Sequence, residues 1–152
     1  METIKQPKIK KVKHLKLSTE KKKAWDIFSK YIRTRDAQNC PMEGKVYCIT
    51  CGKPYPAFGI GCIQAGHFIP GRHSSILFDE RNCHSQCYNC NVNLKGSWVK
   101  YETFMLKTYG PLVIQELKFL DTQNPHYRAI DYVDIQDKFK EKLEQLKAQL
   151  NK

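Results

Sequence analysis

Two Cys-x-x-Cys pairs are the residues of this sequence that are best suited to chemistry. Cys48 and Cys51 form the first pair, Cys87 and Cys90 form the second, and 35 residues separate them. Each pair can present two thiolates from one tight turn, and four thiolates suit the tetrahedral coordination of zinc. Because cysteine would fill all four positions, the pattern predicts a closed, structural zinc site that stabilises a small, turn-rich module.

Three residues between and just after the pairs are suited to phosphodiester hydrolysis. His67 ends a predicted strand and could take a proton from water. Asn91 directly follows the second pair, on the first turn of a predicted helix, and Asn82 begins a second strand, where its amide could hold the loop and orient His67. Hydrolysis also needs a cation at the scissile phosphate, and hard oxygen ligands favour Mg²⁺. The sequence therefore predicts a nuclease site next to the zinc site.

This series of residues resembles the HNH nucleases of the ββα-metal class. The resemblance lies in the order of His67, Asn82, the second cysteine pair, Asn91 and Lys95-Gly96. More narrowly, the chain resembles the phage NinG/Rap recombination endonuclease family. The stretches that carry this narrower resemblance are Tyr31–Asp36, Cys48–Gly52, Ala65–His67, Phe78–Cys87 and Cys90–Asn91.

The resemblance covers roughly residues 20–100 and implies a ββα-metal fold. It implies nicking of branched DNA, such as Holliday junctions and D-loops, during phage recombination, with phage or host recombination proteins as further partners. By analogy with zinc-bearing phage junction resolvases, Asn91 would bind the catalytic cation, Mg²⁺ or Mn²⁺, and His67 would be the general base. The alternative for His67 is a buried structural histidine.

The residue before His67 departs from the pattern of many HNH nucleases, which carry a metal-binding Asp there. Gly66 occupies the position and offers no ligand. His84 is our first candidate for the missing ligand, since alternation along a strand puts it on the same side as Asn82. Asp79 and Glu80 are the next candidates. The alternative for His84 is a phosphate or base contact without a role in metal binding.

Positive charge is concentrated in the first part of the chain. The formal net charge is +11, of which residues 1–35 contribute +9. A concentrated basic arm indicates a polyanionic partner, here branched or duplex DNA, although a solvated tail is the alternative. Predicted DNA contacts nearer the site, some of which could instead balance local acids, are Arg33, Arg35, Arg72, Arg81 and Lys95.

Helical periodicity and turn residues predict an α+β protein. We expect a small HNH-like ββα-metal core, stapled by the four-cysteine zinc site and flanked by N- and C-terminal helices. We expect the chain to divide into three parts. These are a basic, disordered arm at 1–17, a nuclease domain with its leading helix at 18–110, and a C-terminal helical extension at 111–152. The last helix carries an apolar stripe from Tyr132 to Leu150, which could pack on the core or form the seam of a homodimer.

The sequence also bears on location. No apolar run approaches the ~20 residues of a membrane span, and the lysine-rich N-terminus lacks the apolar segment of a secretory signal. Cysteines that serve as metal ligands must stay reduced, as they do in the cytosol. Together these features predict a cytoplasmic protein, in the host cell if it is phage-encoded. The spare cysteines are expected to be small buried apolar residues: Cys40, Cys62 and Cys83.

Two rival functions stay open at this point. One is a general HNH nicking endonuclease without a preference for junctions. The other is a non-catalytic zinc-ribbon protein that binds nucleic acid, which would have no need of the set formed by His67, Asn82 and Asn91.

Overall fold

The computed structural model describes residues 14–71 and 74–150, so residues 1–13 of the predicted arm and Arg72 lie outside it. Within the described residues, the helices are α1 (Leu17–Ala37), α2 (Ser74–Leu77), α3 (Trp98–Tyr109), α4 (Pro111–Thr122) and α5 (Ala129–Leu150). The strands are β1 (Lys45–Tyr47), β2 (Pro54–Pro56), β3 (Gln64–His67) and β4 (Cys83–Gln86). The predicted α+β class is confirmed.

Strands β3 and β4 pair antiparallel, as the sequence predicts. Their register sets Gly66 opposite His84 and His67 opposite Cys83. Directly opposed residues share a face of the sheet and neighbours along a strand alternate. Cys83 therefore faces α1, where it is buried in a core cluster with Ala24 and Phe28, and His84 faces the other side, near Tyr101 of α3.

Two features of the turn-rich regions were not predicted. Strands β1 and β2 form a second antiparallel pair around the first cysteine pair, and prolines are tolerated there because a two-stranded sheet has only edge strands. The predicted loop 70–79 contains the single turn α2. The helix predicted from Cys87 is a short π-helical segment, Asn89–Asn93, and Gly96 follows it with φ of 87°, a conformation that favours glycine.

The apolar stripe of α5 packs against α1. The Phe139 ring lies 4.8 Å from the Phe28 ring and 5.2 Å from the Tyr31 ring, measured between centroids. Tyr132 is buried in the same cluster. Of the two alternatives for this stripe, packing on the core is therefore the one that the structure adopts.

None of the helices within the described residues combines the length and the apolar character that a membrane crossing requires.

Candidate functional site

The four paired cysteines come together in one cluster. Their sulfur atoms all lie within 4.8 Å of one another, although 35 residues separate the two pairs along the chain. A turn closed by the hydrogen bond from the Gly52 N–H to the Cys48 carbonyl, 2.8 Å long, holds the first pair. Cys87 directly follows β4, and its sulfur accepts from the Cys90 N–H at 3.5 Å. The cluster could hold a metal ion, and its tetrathiolate donor set fits zinc, as predicted.

The acidity of these thiols also fits a bound cation. Burial raises the pKa of the Cys51 thiol to about 12. Burial acts in the same direction on Cys48, but hydrogen bonds from the Thr50 hydroxyl and the backbone outweigh it and lower its pKa to about 6. One thiolate therefore forms readily, whereas the full set would ionise only with a compensating cation among the sulfurs.

His67 and Asn91 line one cleft of about 510 Å³, together with Trp25, Lys95 and Gly96. The His67 ring stacks on Trp25, with 5.2 Å between ring centroids. Its Nε2 lies 3.0 Å from the Leu77 carbonyl oxygen. In the neutral ring Nε2 donates to this oxygen, so the basic lone pair belongs to Nδ1. The structure thus brings together the predicted base and the predicted metal ligand.

Asn91 is held from two sides. Its backbone N–H donates to the Cys87 carbonyl at 2.9 Å, which ties the residue to the second cysteine pair. Its side-chain Nδ2 donates to Gln64 Oε1 at 2.9 Å. With its amide nitrogen bound to Gln64, the Asn91 side-chain oxygen, Oδ1, points away from Gln64.

Asn82 is fully buried and holds the loop that follows β3. Its Oδ1 accepts from the Ile69 N–H at 2.9 Å, and its Nδ2 donates to the Ile69 carbonyl at 3.2 Å. Nδ2 also reaches the Ile76 carbonyl at 3.5 Å, next to Leu77, which accepts from His67. Asn82 thus holds the loop segment next to the carbonyl that His67 contacts, and its role in orienting His67 stays a prediction.

His84 does not lie with the other predicted catalytic residues. It faces the opposite side of the hairpin from His67, where its Nδ1 and Nε2 lie 3.0 and 2.8 Å from the hydroxyls of Tyr101 and Tyr109. The Tyr101 hydroxyl donates to the Gly66 carbonyl, so it accepts from Nδ1–H, and Nε2 must accept from Tyr109. No lone pair of His84 is left for a metal ion, and the structure therefore does not support the predicted role as a ligand.

The two acidic candidates for the missing ligand are also engaged elsewhere. Glu80 accepts from the Tyr31 hydroxyl at 2.7 Å and pairs with Lys142. Asp79 accepts from the Arg81 backbone N–H at 2.9 Å and pairs with its guanidinium at 2.8 Å. Neither carboxylate lines the cleft.

Two of the predicted DNA contacts on α1 bind the protein itself. The Arg35 guanidinium donates to Asp36 at 2.7 Å, to the Glu80 carbonyl at 2.8 Å and to the Cys83 carbonyl at 2.9 Å, which ties α1 to β4. Arg33 donates to the Ala57 carbonyl at 3.2 Å. Both guanidinium groups are thus positioned as structural links rather than as phosphate contacts.

Of the remaining basic candidates, one binds the protein itself and the other lies at the cleft. Arg81 bridges Asp79 and Glu116, with 2.7 Å between its Nη1 and the Glu116 carboxylate, so it balances local acids. Lys95 is exposed and lines the cleft. Among the described residues, Lys95 is therefore the predicted DNA contact that lies at the site.

Gln86 is a residue of the site that the sequence reasoning missed. It is fully buried, and its Nε2 donates to the carbonyl of Gly96, a cleft residue, at 2.9 Å. The sequence feature that could have identified Gln86 is the alternation of side chains along β4, which places Gln86 on the same face as His84 and Gly66. Its position directly before Cys87 also brings it close to the second cysteine pair.

Comparison with known proteins matches residues 2–149 of the chain to the family model described as bacteriophage lambda NinG protein. Protein ninG of Salmonella phage P22 is 28% identical over 127 residues, covering 83% of this chain and 57% of that protein. Protein ninG of Escherichia phage 933W is 29% identical over 128 residues, with the same coverage. Protein ninG of Escherichia phage lambda is 28% identical over 128 residues, covering 83% of this chain and 56% of that protein.

The chain thus spans little more than half the length of these curated relatives. No solved structure matches it.

Proposed function

The chain belongs to the bacteriophage lambda NinG family, and on this premise we propose that it is a metal-dependent endonuclease that nicks branched DNA, such as Holliday junctions and D-loops. The observation that carries the proposal is the cleft shared by His67 and Asn91, in which a basic imidazole nitrogen and an amide oxygen lie beside an exposed lysine. A protein that only bound nucleic acid would not need an oriented histidine there.

The fold that goes with this function is an HNH-like ββα-metal core. Two antiparallel strands, β3 and β4, lead into the helical segment Asn89–Asn93, and this order of elements supports the assignment. The zinc-binding cysteines hold the end of β4 and the start of this segment. Zinc therefore acts on the chemistry only indirectly, by fixing the position of Asn91.

Each residue of the cleft has a defined part in hydrolysis. His67 Nδ1 takes a proton from water, the water oxygen bonds to phosphorus, and the bond from phosphorus to the leaving sugar oxygen breaks. The leaving oxygen gains its proton from solvent. Asn91 would hold a divalent cation, Mg²⁺ or Mn²⁺, which would stabilise the charge that develops on the phosphate. Lys95 attracts the DNA backbone, and Asn82 keeps His67 in its orientation.

A nicking assay tests the proposal. A four-way junction, a D-loop and a linear duplex of the same sequence are incubated with the protein and Mg²⁺, Mn²⁺ or EDTA. We expect nicks in the branched substrates with either cation and none with EDTA. Equal cleavage of the linear duplex would indicate a general HNH nicking endonuclease. Binding to DNA without cleavage under any of these conditions would indicate a non-catalytic zinc-ribbon protein.

The partners and location follow from the same proposal. The protein acts in the cytoplasm of the infected host, together with phage or host recombination proteins. A four-way junction offers two cut sites related by approximate two-fold symmetry, which suits a homodimer. The seam would have to use a surface other than the α5 stripe, because Tyr132 and Phe139 are buried against α1. Light scattering with and without the junction measures the number of copies.

A further inference from the structure

Two side-chain amide oxygens converge at Gly66, one residue before His67. A Cβ atom added to Gly66 would lie 2.3 Å from Gln86 Oε1 and 2.9 Å from Asn91 Oδ1. Both distances are shorter than any van der Waals contact, so the Gln86 and Asn91 oxygens occupy the space that a side chain at position 66 would need. The absence of a side chain at Gly66 is therefore what allows both oxygens to approach this point.

The orientation of each amide is set by its nitrogen. Gln86 Nε2 donates to the Gly96 carbonyl at 2.9 Å and to the Thr50 hydroxyl at 3.3 Å. Asn91 Nδ2 donates to Gln64 Oε1 at 2.9 Å. Rotating the Gln86 amide by half a turn would set its oxygen against the Gly96 carbonyl and lose that hydrogen bond, and rotating the Asn91 amide would lose its hydrogen bond to Gln64 Oε1 unless the Gln64 amide turned as well. The two oxygens are thus held toward Gly66.

Gln86 Oε1 is buried and accepts no hydrogen bond from any residue in 14–71 or 74–150. A buried amide oxygen without a partner loses its hydration without compensation, which is unfavourable. Two partly negative oxygens that face the same point also repel each other. A positively charged group between them would remove both costs.

From this arrangement we propose that Gln86 Oε1 and Asn91 Oδ1 together bind a divalent cation beside Gly66. The inference rests on the proposed function, since it names the residues that hold the cation used there. Amide oxygens are hard ligands of the kind that Mg²⁺ and Mn²⁺ accept. Gly96 and Asn91 both line the cleft, so the position is next to the space that a phosphate would enter.

The charge of this site has a consequence for binding. Both ligands are neutral amides, whereas Mg²⁺ sites in proteins are usually completed by carboxylates and substrate phosphates. The candidate carboxylates, Asp79 and Glu80, are paired with cations elsewhere. The negative charge must therefore come from the DNA phosphate, so the cation and the DNA bind cooperatively, each raising the affinity for the other by the same factor.

The first test uses the unsubstituted protein and Mn²⁺ alone. Paramagnetic Mn²⁺ broadens NMR signals of nearby groups, and the structural zinc is silent because Zn²⁺ is diamagnetic. We expect the side-chain NH₂ signals of Gln86 and Asn91 to broaden at the lowest Mn²⁺ concentrations. The NH₂ signal of Gln115, an exposed residue of α4, is the internal control. If the Gln86 and Asn91 signals stay sharp while Gln115 broadens, the proposal is overturned and a water molecule fills the position instead.

The second test removes one ligand. Mn²⁺ affinity is measured by electron paramagnetic resonance in a His67→Ala background, which does not cleave, with a linear duplex present. Adding Gln86→Ala should weaken Mn²⁺ binding at least about tenfold, and the matched change Gln115→Ala should leave it unaltered. Retained zinc and circular dichroism show that the variant is folded. An unchanged Mn²⁺ affinity in a folded Gln86→Ala protein contradicts the proposal.

The third test moves the ligand to the neighbouring strand. In Gly66→Asp combined with Gln86→Ala, the closer of the two obstructing oxygens is removed, and the Asn91 side chain, whose Oδ1 lies 2.9 Å from the added Cβ, must shift slightly to admit an Asp side chain at position 66. We expect Mn²⁺ binding to return and to become at least about tenfold tighter than in the parent protein without DNA, because the new ligand is charged. Failure to regain binding in a folded double variant counts against a cation at this point.

These measurements separate the inference from the proposed function. If Mn²⁺ binds at Gln86 and Asn91 but no DNA is cut, the cation site stands and the endonuclease does not. If cleavage requires Mg²⁺ and is unaffected by Gln86→Ala, the endonuclease stands and the cation site is wrong.

Discussion

At the scale of single residues, His67 and His84 lie on neighbouring strands and have opposite environments. His67 is partly exposed and lines the cleft, whereas His84 is 3% exposed and bonds to two tyrosine hydroxyls. Burial lowers the pKa of His84 to about 3, so this ring is neutral at physiological pH. His67 is thus accessible from the cleft, and His84 serves to connect β4 with α3.

We expect His67→Ala to abolish most cleavage while DNA binding is retained. Loss of a general base costs about 10²–10⁴ in rate, and the basic residues that attract DNA are unchanged. Nicking rates on a four-way junction and affinities from gel shifts measure the two effects. His126→Ala, at an exposed position in the linker before α5, is the matched control. Cleavage at the parental rate by the His67 variant would show that another residue is the base.

His84 predicts a dependence of stability on pH. Below its usual pKa of 6.5, the unfolded ring takes up a proton and the folded ring does not, so the free energy of unfolding falls as the pH falls. When the pH falls from about 7.5 to 5.5, this effect of His84 lowers the free energy of unfolding by about 1.4 kcal/mol. His84→Gln removes it, and we expect the parent protein to lose that much more stability over this interval than the variant does.

Urea unfolding of both proteins at the two pH values measures this difference. Protonation of the four clustered cysteines affects both proteins alike and cancels in the comparison. Parallel losses of stability in the two proteins would mean that His84 takes up its proton as readily in the folded state as in the unfolded state.

At the scale of elements, the cysteine cluster joins the end of β1 to the end of β4. Cys48 follows β1 and Cys87 follows β4, and Asn91 N–H donates to the Cys87 carbonyl. Metal binding at the cluster therefore fixes the segment that carries Asn91.

We expect Cys87→Ser to lose most bound zinc, to lower the melting temperature and to abolish nicking. A structural zinc contributes about 10–16 kcal/mol of apparent binding free energy in small modules, and three cysteines retain only part of it. Metal analysis of protein purified without added zinc should give about one equivalent for the parent chain. Cys40→Ser, outside the cluster, should keep zinc. A Cys87 variant with full zinc and stability would refute the site.

Substitutions of Arg35 and Lys95 should have different effects on stability and on DNA affinity. The Arg35 side chain links α1 to β4, whereas the Lys95 side chain is exposed. Arg35→Ala removes the ion-pair partner of Asp36 and the donor to the Glu80 and Cys83 carbonyls, and we expect it to lower the free energy of unfolding by about 3 kcal/mol. Lys95→Ala should leave stability unchanged and reduce the slope of log affinity for DNA against log salt by about 1. Urea unfolding and salt titrations measure both. The reverse pattern would assign the phosphate contact to Arg35.

At the scale of the whole molecule, positive charge lies mainly in the first 35 residues, and two arginines of that segment are used internally. Residues 1–13 hold five lysines and Glu2. We expect deletion of residues 1–13 to make the salt slope for DNA binding shallower by up to about 4, if each lysine neutralises one phosphate. Cleavage at saturating DNA should be unchanged, because the cleft residues remain.

Replacing the five lysines with glutamine in the full chain is the control for this deletion. Because the glutamine variant keeps the length and loses the charge, it should behave as the deletion does. An unchanged salt slope in both would mean that the segment does not contact DNA.

The sequence by itself determined the features that depend on local spacing. Two Cys-x-x-Cys pairs identified the cysteine cluster, because two residues between thiols bring both sulfurs to one turn whatever the surrounding fold. Helical periodicity likewise identified the leading helix α1 and the last helix α5, the latter through its own apolar stripe. These features follow from neighbours along the chain and can be derived without knowing the long-range contacts.

Only the tertiary structure decided which partners meet. The α5 stripe suited either a core or a dimer seam, and burial of Phe139 against Phe28 selects the core. The register of β3 and β4 directs His84 away from His67 and brings Gln86 to Gly66. The physical reason is that a change of one residue in register reverses the face of every side chain on a strand, and register depends on contacts between distant parts of the chain.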